Sequence, residues 1–272
     1  MKYKLLALDM DGTVLNSQKK ISPRTAAAID GLLKRDVCVV VSTGRGLAEL
    51  SDYREEFKSM NYGILISGGI VYDFFRDAAI TVHGLDEKII LQLIDFGLET
   101  RAMIHLLTVG KSIAREEDIR DMSVFDMAVF TDMFNRVCVR CDDFKKFVRE
   151  NPGEVVKVNL YHRDKISRDK NFARINEMGL SINFAEANNL EISPANVSKA
   201  SGLVELCDFL KIDLAETVAV GDAPNDVEIL QTAGLAVAMG NSSDEIKKLA
   251  DFVTLDNDSD GVAAVIEKFF PL

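Results

Sequence analysis

The chain is poor in cysteine and has no long uncharged apolar run. Four cysteines, at positions 38, 138, 141 and 207, are present among 272 residues. This number is too small for a disulfide framework at this length and is typical of a reducing compartment, so we expect no disulfides. No run of roughly eighteen uncharged apolar residues is available to span a bilayer, and the apolar stretch after Lys4 is too short for a signal peptide. We therefore expect a cytoplasmic protein with no membrane partner.

Basic residues are also in the minority. The sequence has 32 Lys and Arg against 43 Asp and Glu, which gives a net charge of −11. Because this charge repels a phosphate backbone, nucleic acid is not an expected partner. No Gly-x-Gly-x-x-Gly pattern follows the first apolar run, so dinucleotide binding has no support either. The hydrophobic content of 47% instead indicates a globular protein. The oligomeric state is left open.

Short apolar runs alternate with amphipathic segments toward both ends of the chain. Leu5–Leu8 and Val37–Val41 predict buried strands, and Ser22-Pro23 predicts the start of a helix. A second helix is expected after Val41 and through Phe57, and the same alternation returns between Leu203 and Phe269. Such strands are typical of a parallel sheet that is covered on both faces. We predict an α/β fold with a Rossmann-like parallel sheet.

The middle of the chain has a different pattern, in which strand candidates are separated by charged helices and loops. The candidates are Met103–Leu107, Val137–Val139, Val155–Tyr161 and Ile182–Ala185. An inserted α+β domain accounts for this change most economically. We expect residues 1–83 and 187–272 to form a core and residues 84–186 to form the inserted domain.

Acidic and polar residues follow several predicted strands, where ligands bind in parallel sheets. The segments are Asp9-Met10-Asp11-Gly12-Thr13, Ser42-Thr43-Gly44-Arg45 and Gly221-Asp222-Ala223-Pro224-Asn225-Asp226. If Asp9 and Asp222 converge, their carboxylates repel each other unless a cation intervenes. Oxygen ligands without a His or Cys cluster indicate Mg²⁺ rather than zinc.

The same residue types suggest a reaction at phosphorus. A carboxylate can attack phosphorus and divide one displacement into two easier steps, and we predict Asp9 for this role. Asp11 is the predicted general acid and base. Thr43 and Gly44, placed before a helix, form a predicted anion cradle, and Lys199 supplies a cation for phosphate.

In this order, DMDGT, STGR, Lys199 and GDAPND resemble the four motifs of the haloacid dehalogenase superfamily. The chain is similar to its Cof-type phosphatases from Lys4 to about Phe269, which implies an α+β cap of the C2 type between the second and third motifs. The resemblance implies that Mg²⁺ is bound by Asp9, by Asp11 through its backbone carbonyl and by Asp222. It also implies that phosphate is bound by Met10 through its backbone N–H, Thr43, Gly44, Lys199 and Asn225, with Asp226 behind them. Ser67-Gly68-Gly69 departs from the Asn-Gly frequent in the family.

Each motif also has a simpler interpretation. The aspartates are common turn residues, Thr43-Gly44 is a plausible helix cap, and a lysine that opens a helix is usually a solvated charge. The ordered set of four motifs favours the functional interpretation. We predict a Mg²⁺-dependent phosphomonoesterase for small phosphorylated metabolites, with sugar phosphates first. The alternatives are a phosphomutase that uses the same aspartyl-phosphate and a non-catalytic phosphate sensor. The substrate and the roles of Arg45 and Asp226 are left open.

Overall fold

The computed structural model describes residues 2–53, 60–184 and 187–271. The chain forms two compact units. The first unit contains residues 1–44, 53–81 and 198–272, and the second contains residues 45–52 and 82–197. No helix in the described ranges is both long and apolar enough to cross a membrane.

The strands are numbered along the chain. They are β1 (Leu5–Asp9), β2 (Cys38–Ser42), β3 (Tyr62–Leu65), β4 (Ile70–Asp73), β5 (Ala78–Val82), β6 (Met103–Thr108), β7 (Ser112–Ala114), β8 (Cys138–Arg140), β9 (Val155–Tyr161), β10 (Ser181–Asn183), β11 (Asn189–Ser193), β12 (Thr217–Gly221), β13 (Leu235–Ala238) and β14 (Phe252–Val253). They form two sheets, of eight and six strands.

The α-helices that the described residues form are numbered in the same way. They are α1 (Pro23–Leu33), α2 (Glu87–Thr100), α3 (Glu116–Arg120), α4 (Thr131–Val137), α5 (Phe144–Glu150), α6 (Lys165–Asn176), α7 (Lys199–Leu210), α8 (Val227–Thr232), α9 (Asp244–Leu249) and α10 (Gly261–Phe269).

The eight-stranded sheet organises the first unit, in the order β14-β13-β12-β1-β2-β3-β4-β5. Every adjacent pair from β14 to β3 is parallel, and β4 is antiparallel to β3. β1 lies between β12 and β2, and all five of its residues are buried. Leu8 pairs with Val220, and Asp9 pairs with Ser42. The ends of β1, β2 and β12 therefore meet at one edge of the sheet, which confirms the predicted α/β class.

The six-stranded sheet of the second unit has the order β10-β11-β9-β6-β7-β8. Its pairs are antiparallel except β7 with β8. Side chains alternate across the sheet: Ile104, Val158 and Leu160 pack in an apolar core, whereas His105 and Asn159, which pair across the sheet, are buried polar residues. One face is therefore apolar and the other carries polar groups.

Several predicted element bounds need correction. In place of a helix from the turn after Val41 through Phe57, a 3-10 helix spans Leu47–Tyr53, and residues 54–57 lie outside the described residues. The Glu49 side chain accepts a hydrogen bond from the backbone N–H of Gly46 at 2.7 Å, which fixes this tight turn locally. Val137 ends α4 rather than beginning β8. β10 spans Ser181–Asn183, and Ala185 lies outside the described residues.

Candidate active site

Three carboxylates meet where β1 and β12 end. One carboxylate oxygen from each of Asp9, Asp222 and Asp226 lies within 4.8 Å of the others. Asp9 is the last residue of β1 and is 7% exposed. Gly12 has a φ of +86°, and a Cβ atom there would lie 2.4 Å from Asp222 Oδ2, so the turn after Asp11 requires glycine. The absence of a side chain at this position lets the two acidic segments approach each other.

Lys199 connects this cluster to α7. Its Nζ donates hydrogen bonds to Asp9 Oδ1 at 2.6 Å and to Asp226 Oδ1 at 2.7 Å, and the residue is 1% exposed. It is the first residue of α7, where the Ser198 side chain caps the helix by accepting from the backbone N–H of Ser201. The helix start therefore places a buried ammonium group between two carboxylates.

Asp226 has a clear position, although the sequence left its role open. Its Oδ1 accepts from Lys199, and its Oδ2 accepts from the backbone N–H groups of Asp222 and Ala223, both at 3.0 Å. Gly221 passes so close that a Cβ atom there would lie 2.5 Å from Asp226 Cγ. Asp226 thus joins Lys199 to the loop that carries Asp222.

The electrostatics of the cluster favour a bound cation. Burial raises the pKa of Asp9 well above its usual value, and the nearby Asp226 carboxylate raises it further against the opposing effect of Lys199. Burial also raises the pKa of Asp222, which a hydrogen bond from Thr13 partly offsets. Burial alone would lower the pKa of Lys199, but Asp226 and Asp9 raise it above its usual value. Three carboxylates against one ammonium group leave negative charge uncompensated, and this all-oxygen donor set fits a hard divalent cation.

The predicted acid and base, Asp11, lies in the turn after β1. Its Oδ1 accepts from Lys19 Nζ at 2.8 Å. Met10, between the two aspartates, is fully buried, and its carbonyl accepts from the backbone N–H of Leu15. Thr13 Oγ1 donates to Asp222 Oδ1 at 2.8 Å. The DMDGT segment therefore forms a compact turn in which Asp9 and Thr13 both face the acidic cluster.

The predicted phosphate-binding residues after β2 lie next to β1. Because Ser42 pairs with Asp9, Thr43 and Gly44 extend beyond the end of the neighbouring strand. The backbone N–H of Thr43 donates to the carbonyl of Ile64, and its carbonyl accepts from the N–H of Ser67, both at 2.9 Å. These bonds fix the backbone of the second motif.

The remaining motif residues have different surroundings. Asn225 lies in the 3-10 helix Pro224–Asp226 directly before α8, and its Oδ1 is buried with no hydrogen-bond partner among the described residues. An amide oxygen only accepts, so its partner must be a hydrogen-bond donor such as water. Arg45 belongs to the second unit, where its Nη1 lies 3.7 Å from Met133 Sδ.

The chain matches the model of the haloacid dehalogenase-like hydrolase family over residues 6–266. It belongs to this family. Among curated relatives, this hydrolase is 28% identical to phosphatase YwpJ of Bacillus subtilis, over 97% of this chain and 99% of the relative. It is also 28% identical to a 5-amino-6-(5-phospho-D-ribitylamino)uracil phosphatase of the same species, over 97% and 94% of the two chains. A solved haloacid dehalogenase-like hydrolase from B. subtilis matches with a TM-score of 0.87 at 25% identity, over 97% and 99%.

The family predicted from the four motifs is therefore confirmed, and the hydrolase is an enzyme whose relatives include phosphatases. Sequence reasoning missed one of its polar residues near the acidic cluster. Asn241 follows β13, and its Nδ2 donates to the carbonyl of Gly12 at 2.9 Å and to Asp222 Oδ2 at 3.3 Å. Its position after a strand that parallels β12 is the signal that would have identified it.

Proposed function

We propose that this hydrolase is a Mg²⁺-dependent phosphomonoesterase that acts on small phosphorylated metabolites through an aspartyl-phosphate intermediate. The observation that carries the proposal is the cluster in which buried Asp9, Lys199 and Asp226 meet half-buried Asp222 where β1 and β12 end. Mg²⁺ held by Asp9, the backbone carbonyl of Asp11 and Asp222 would supply positive charge to a phosphoryl group. Family membership supports the reaction class.

In the proposed reaction, an oxygen of Asp9 attacks phosphorus while the bond from phosphorus to the leaving oxygen breaks. Asp11 gives its proton to that oxygen, and the product alcohol departs. Water then attacks the aspartyl-phosphate, gives a proton to Asp11 and releases Asp9 and inorganic phosphate. The hydrogen bond from Lys199 holds Asp9 in one orientation during both displacements.

The phosphoryl oxygens are assigned to the residues around Asp9. The proposed ligands are the backbone N–H of Met10, the hydroxyl of Thr43, the N–H of Gly44, the ammonium of Lys199 and the amide of Asn225. Asn225 has its place in this set from the GDAPND motif, and its Nδ2 would be the group that donates to a phosphoryl oxygen. Lys199 Nζ lies 2.6 Å from Asp9 Oδ1, which supports the assignment of its ammonium group to a phosphoryl group that Asp9 attacks.

Sugar phosphates are the first substrate class to test. The relative that dephosphorylates a phosphoribitylamino-uracil supports a polyhydroxylated leaving group. We retain residues 1–83 and 187–272 as the proposed catalytic core and residues 84–186 as the proposed cap. The two compact units support this division, except that residues 45–52, 82–83 and 187–197 belong to the second unit. The cytoplasm is the proposed location.

A phosphate-release assay over a panel of phosphate esters tests the proposal. We expect turnover with Mg²⁺, loss of turnover with excess chelator and recovery when Mg²⁺ is returned. Asp9→Asn should lower kcat roughly 10³-fold or more, whereas Asp30→Asn, on the exposed face of α1, should retain wild-type kcat. Turnover without an added bisphosphate separates the phosphatase from a phosphomutase, and binding without turnover would indicate a sensor. Full activity of the Asp9→Asn variant would refute the assignment of Asp9 as the nucleophile.

A further inference from the structure

Asn241 contacts two parts of the acidic cluster from a strand that carries none of the four motifs. It lies in the turn between β13 and α9. Its Nδ2 donates to the carbonyl of Gly12 at 2.9 Å and to Asp222 Oδ2 at 3.3 Å. One amide group therefore joins the turn that carries Asp11 to the carboxylate at the end of β12.

The orientation of this amide is determined by its other end. Asn241 Oδ1 accepts a hydrogen bond from the backbone N–H of Asn257 at 3.2 Å. If the amide were rotated by half a turn, its oxygen would face two acceptors and its NH₂ would face a donor. Only the observed orientation satisfies all three contacts, so the NH₂ group must point at Asp222 and Gly12.

The Asp222 carboxylate is thereby fixed through both of its oxygens. Thr13 Oγ1 donates to Oδ1, and Asn241 Nδ2 donates to Oδ2. Each oxygen retains lone pairs for a further partner. Residues that hydrogen-bond a ligating carboxylate set its direction and typically change metal affinity by about 10–100-fold when they are removed.

We propose that Asn241 is a positioning residue that orients the Asp222 carboxylate for cation binding and anchors it to the turn at Gly12. The proposal rests on the proposed function, because it presupposes a divalent cation at the Asp9 and Asp222 carboxylates. A purely structural role is the competing explanation, since Asn241 also connects two loops.

Asn257 provides a matched control. Its Nδ2 donates to the carbonyl of Leu15 at 2.9 Å, so it ties down the same turn without touching Asp222. Asn257→Ala therefore removes a comparable side-chain bond to this turn, while its backbone N–H to Asn241 is retained. A structural role predicts equal effects for the two substitutions, and a positioning role predicts different ones.

The test is calorimetric titration of Mg²⁺ into the chelator-treated full-length protein without substrate. We expect Asn241→Ala to raise the Kd for Mg²⁺ by about 10–100-fold and Asn257→Ala to leave it within about twofold of wild type. In turnover assays, Asn241→Ala should need more Mg²⁺ for half-maximal rate, and its kcat at saturating Mg²⁺ should approach that of wild type. Melting temperatures without metal show whether each variant is folded, and Asn241→Ser replaces the alanine variant if that one does not fold.

Two outcomes would overturn the inference. In the first, Asn241→Ala and Asn241→Ser bind Mg²⁺ within twofold of wild type. In the second, Asn241→Ala and Asn257→Ala raise the Kd by the same factor, which assigns Asn241 a structural role. Failure of the wild-type protein to bind Mg²⁺ would instead refute the metal dependence in the proposed function, so the two failures are distinguishable.

Discussion

Replacement of Lys199 by methionine should destabilise the protein more than removal of any exposed ion pair. Methionine retains most of the length and apolar volume of lysine, so the Lys199→Met variant removes chiefly the charge. The carboxylates of Asp9 and Asp226 would then remain buried without their shared cation. Because both carboxylates are buried, their repulsion is poorly screened.

The magnitude follows from the two contacts. At an effective dielectric constant of about 20, an ion pair at the observed distances of 2.6 and 2.7 Å has a gross attraction of roughly 6 kcal/mol. The cost of burying the ammonium group offsets much of this attraction, and removal of one partner from a buried pair typically costs about 3–5 kcal/mol. We expect a loss in this range. Asp226→Asn in the Lys199→Met background should recover part of it, because one of the two uncompensated charges is removed.

Urea unfolding followed by circular dichroism, with chelator present, measures these differences. The control is Lys4→Met. Lys4 Nζ lies 2.7 Å from Glu216 Oε1, but Lys4 is exposed and Glu216 only half-buried, so the unfolding midpoint should hardly change. The reasoning fails if Lys199→Met lowers the free energy of unfolding by less than about 1 kcal/mol, or if Asp226→Asn adds to the loss instead of reducing it.

Two further predictions concern burial and backbone geometry. Burial lowers the pKa of His105 to about 3. Between that pH and about 6.5, this histidine therefore binds a proton in the unfolded chain but not in the folded one. As pH decreases through this range, His105 alone lowers the free energy of unfolding by about 1.4 kcal/mol per pH unit. His105→Gln should show a shallower decline in urea unfolding from pH 6.5 to 4.5, and an unchanged slope would contradict the assignment. Gly68 has a φ of +95°, and a Cβ there would lie 1.9 Å from the Ser198 carbonyl oxygen. Gly68→Ala should therefore move the start of α7 and lower kcat/KM by about 10²-fold. The control is Gly153→Ala: Gly153 has a φ of +77°, but no atom lies near its missing Cβ, so kcat/KM should be unchanged. Equal kcat/KM values for the two variants would refute the steric argument.

The main strands could be predicted because their sequences permit few alternatives. β1, β2 and β12 are short, continuous apolar runs, and this pattern is typical of strands that are covered on both faces. β7 and β11 were not predicted. β7 has only three residues, which are too few to show a period. In β11, Leu190 and Ile192 alternate with polar residues, so its period of two was a strand signal that the prediction missed.

In the candidate site, too, residues with a local sequence signal could be predicted, whereas residues placed there by the tertiary fold could not. Asp9 and Asp222 stand directly after apolar runs, so the rule for strand ends selects them. Lys19, which contacts Asp11, has a left-handed backbone with a φ of 57°. Lysine rarely adopts this conformation, so the contact could not be predicted from the sequence. Asn241 belongs to no recognised motif, and only the pairing of β12 with β13 brings it to Asp222.

The pairing of β1 with β12 has a consequence for synthesis of the protein on the ribosome. Leu5 pairs with Thr217, so one edge of β1 stays open until most of the chain has been translated. At about 5–20 residues per second, Asp9 leaves the ribosome roughly ten seconds or more before Asp222 follows. A nascent or prematurely terminated chain therefore lacks the candidate active site, however well its earlier segments have folded.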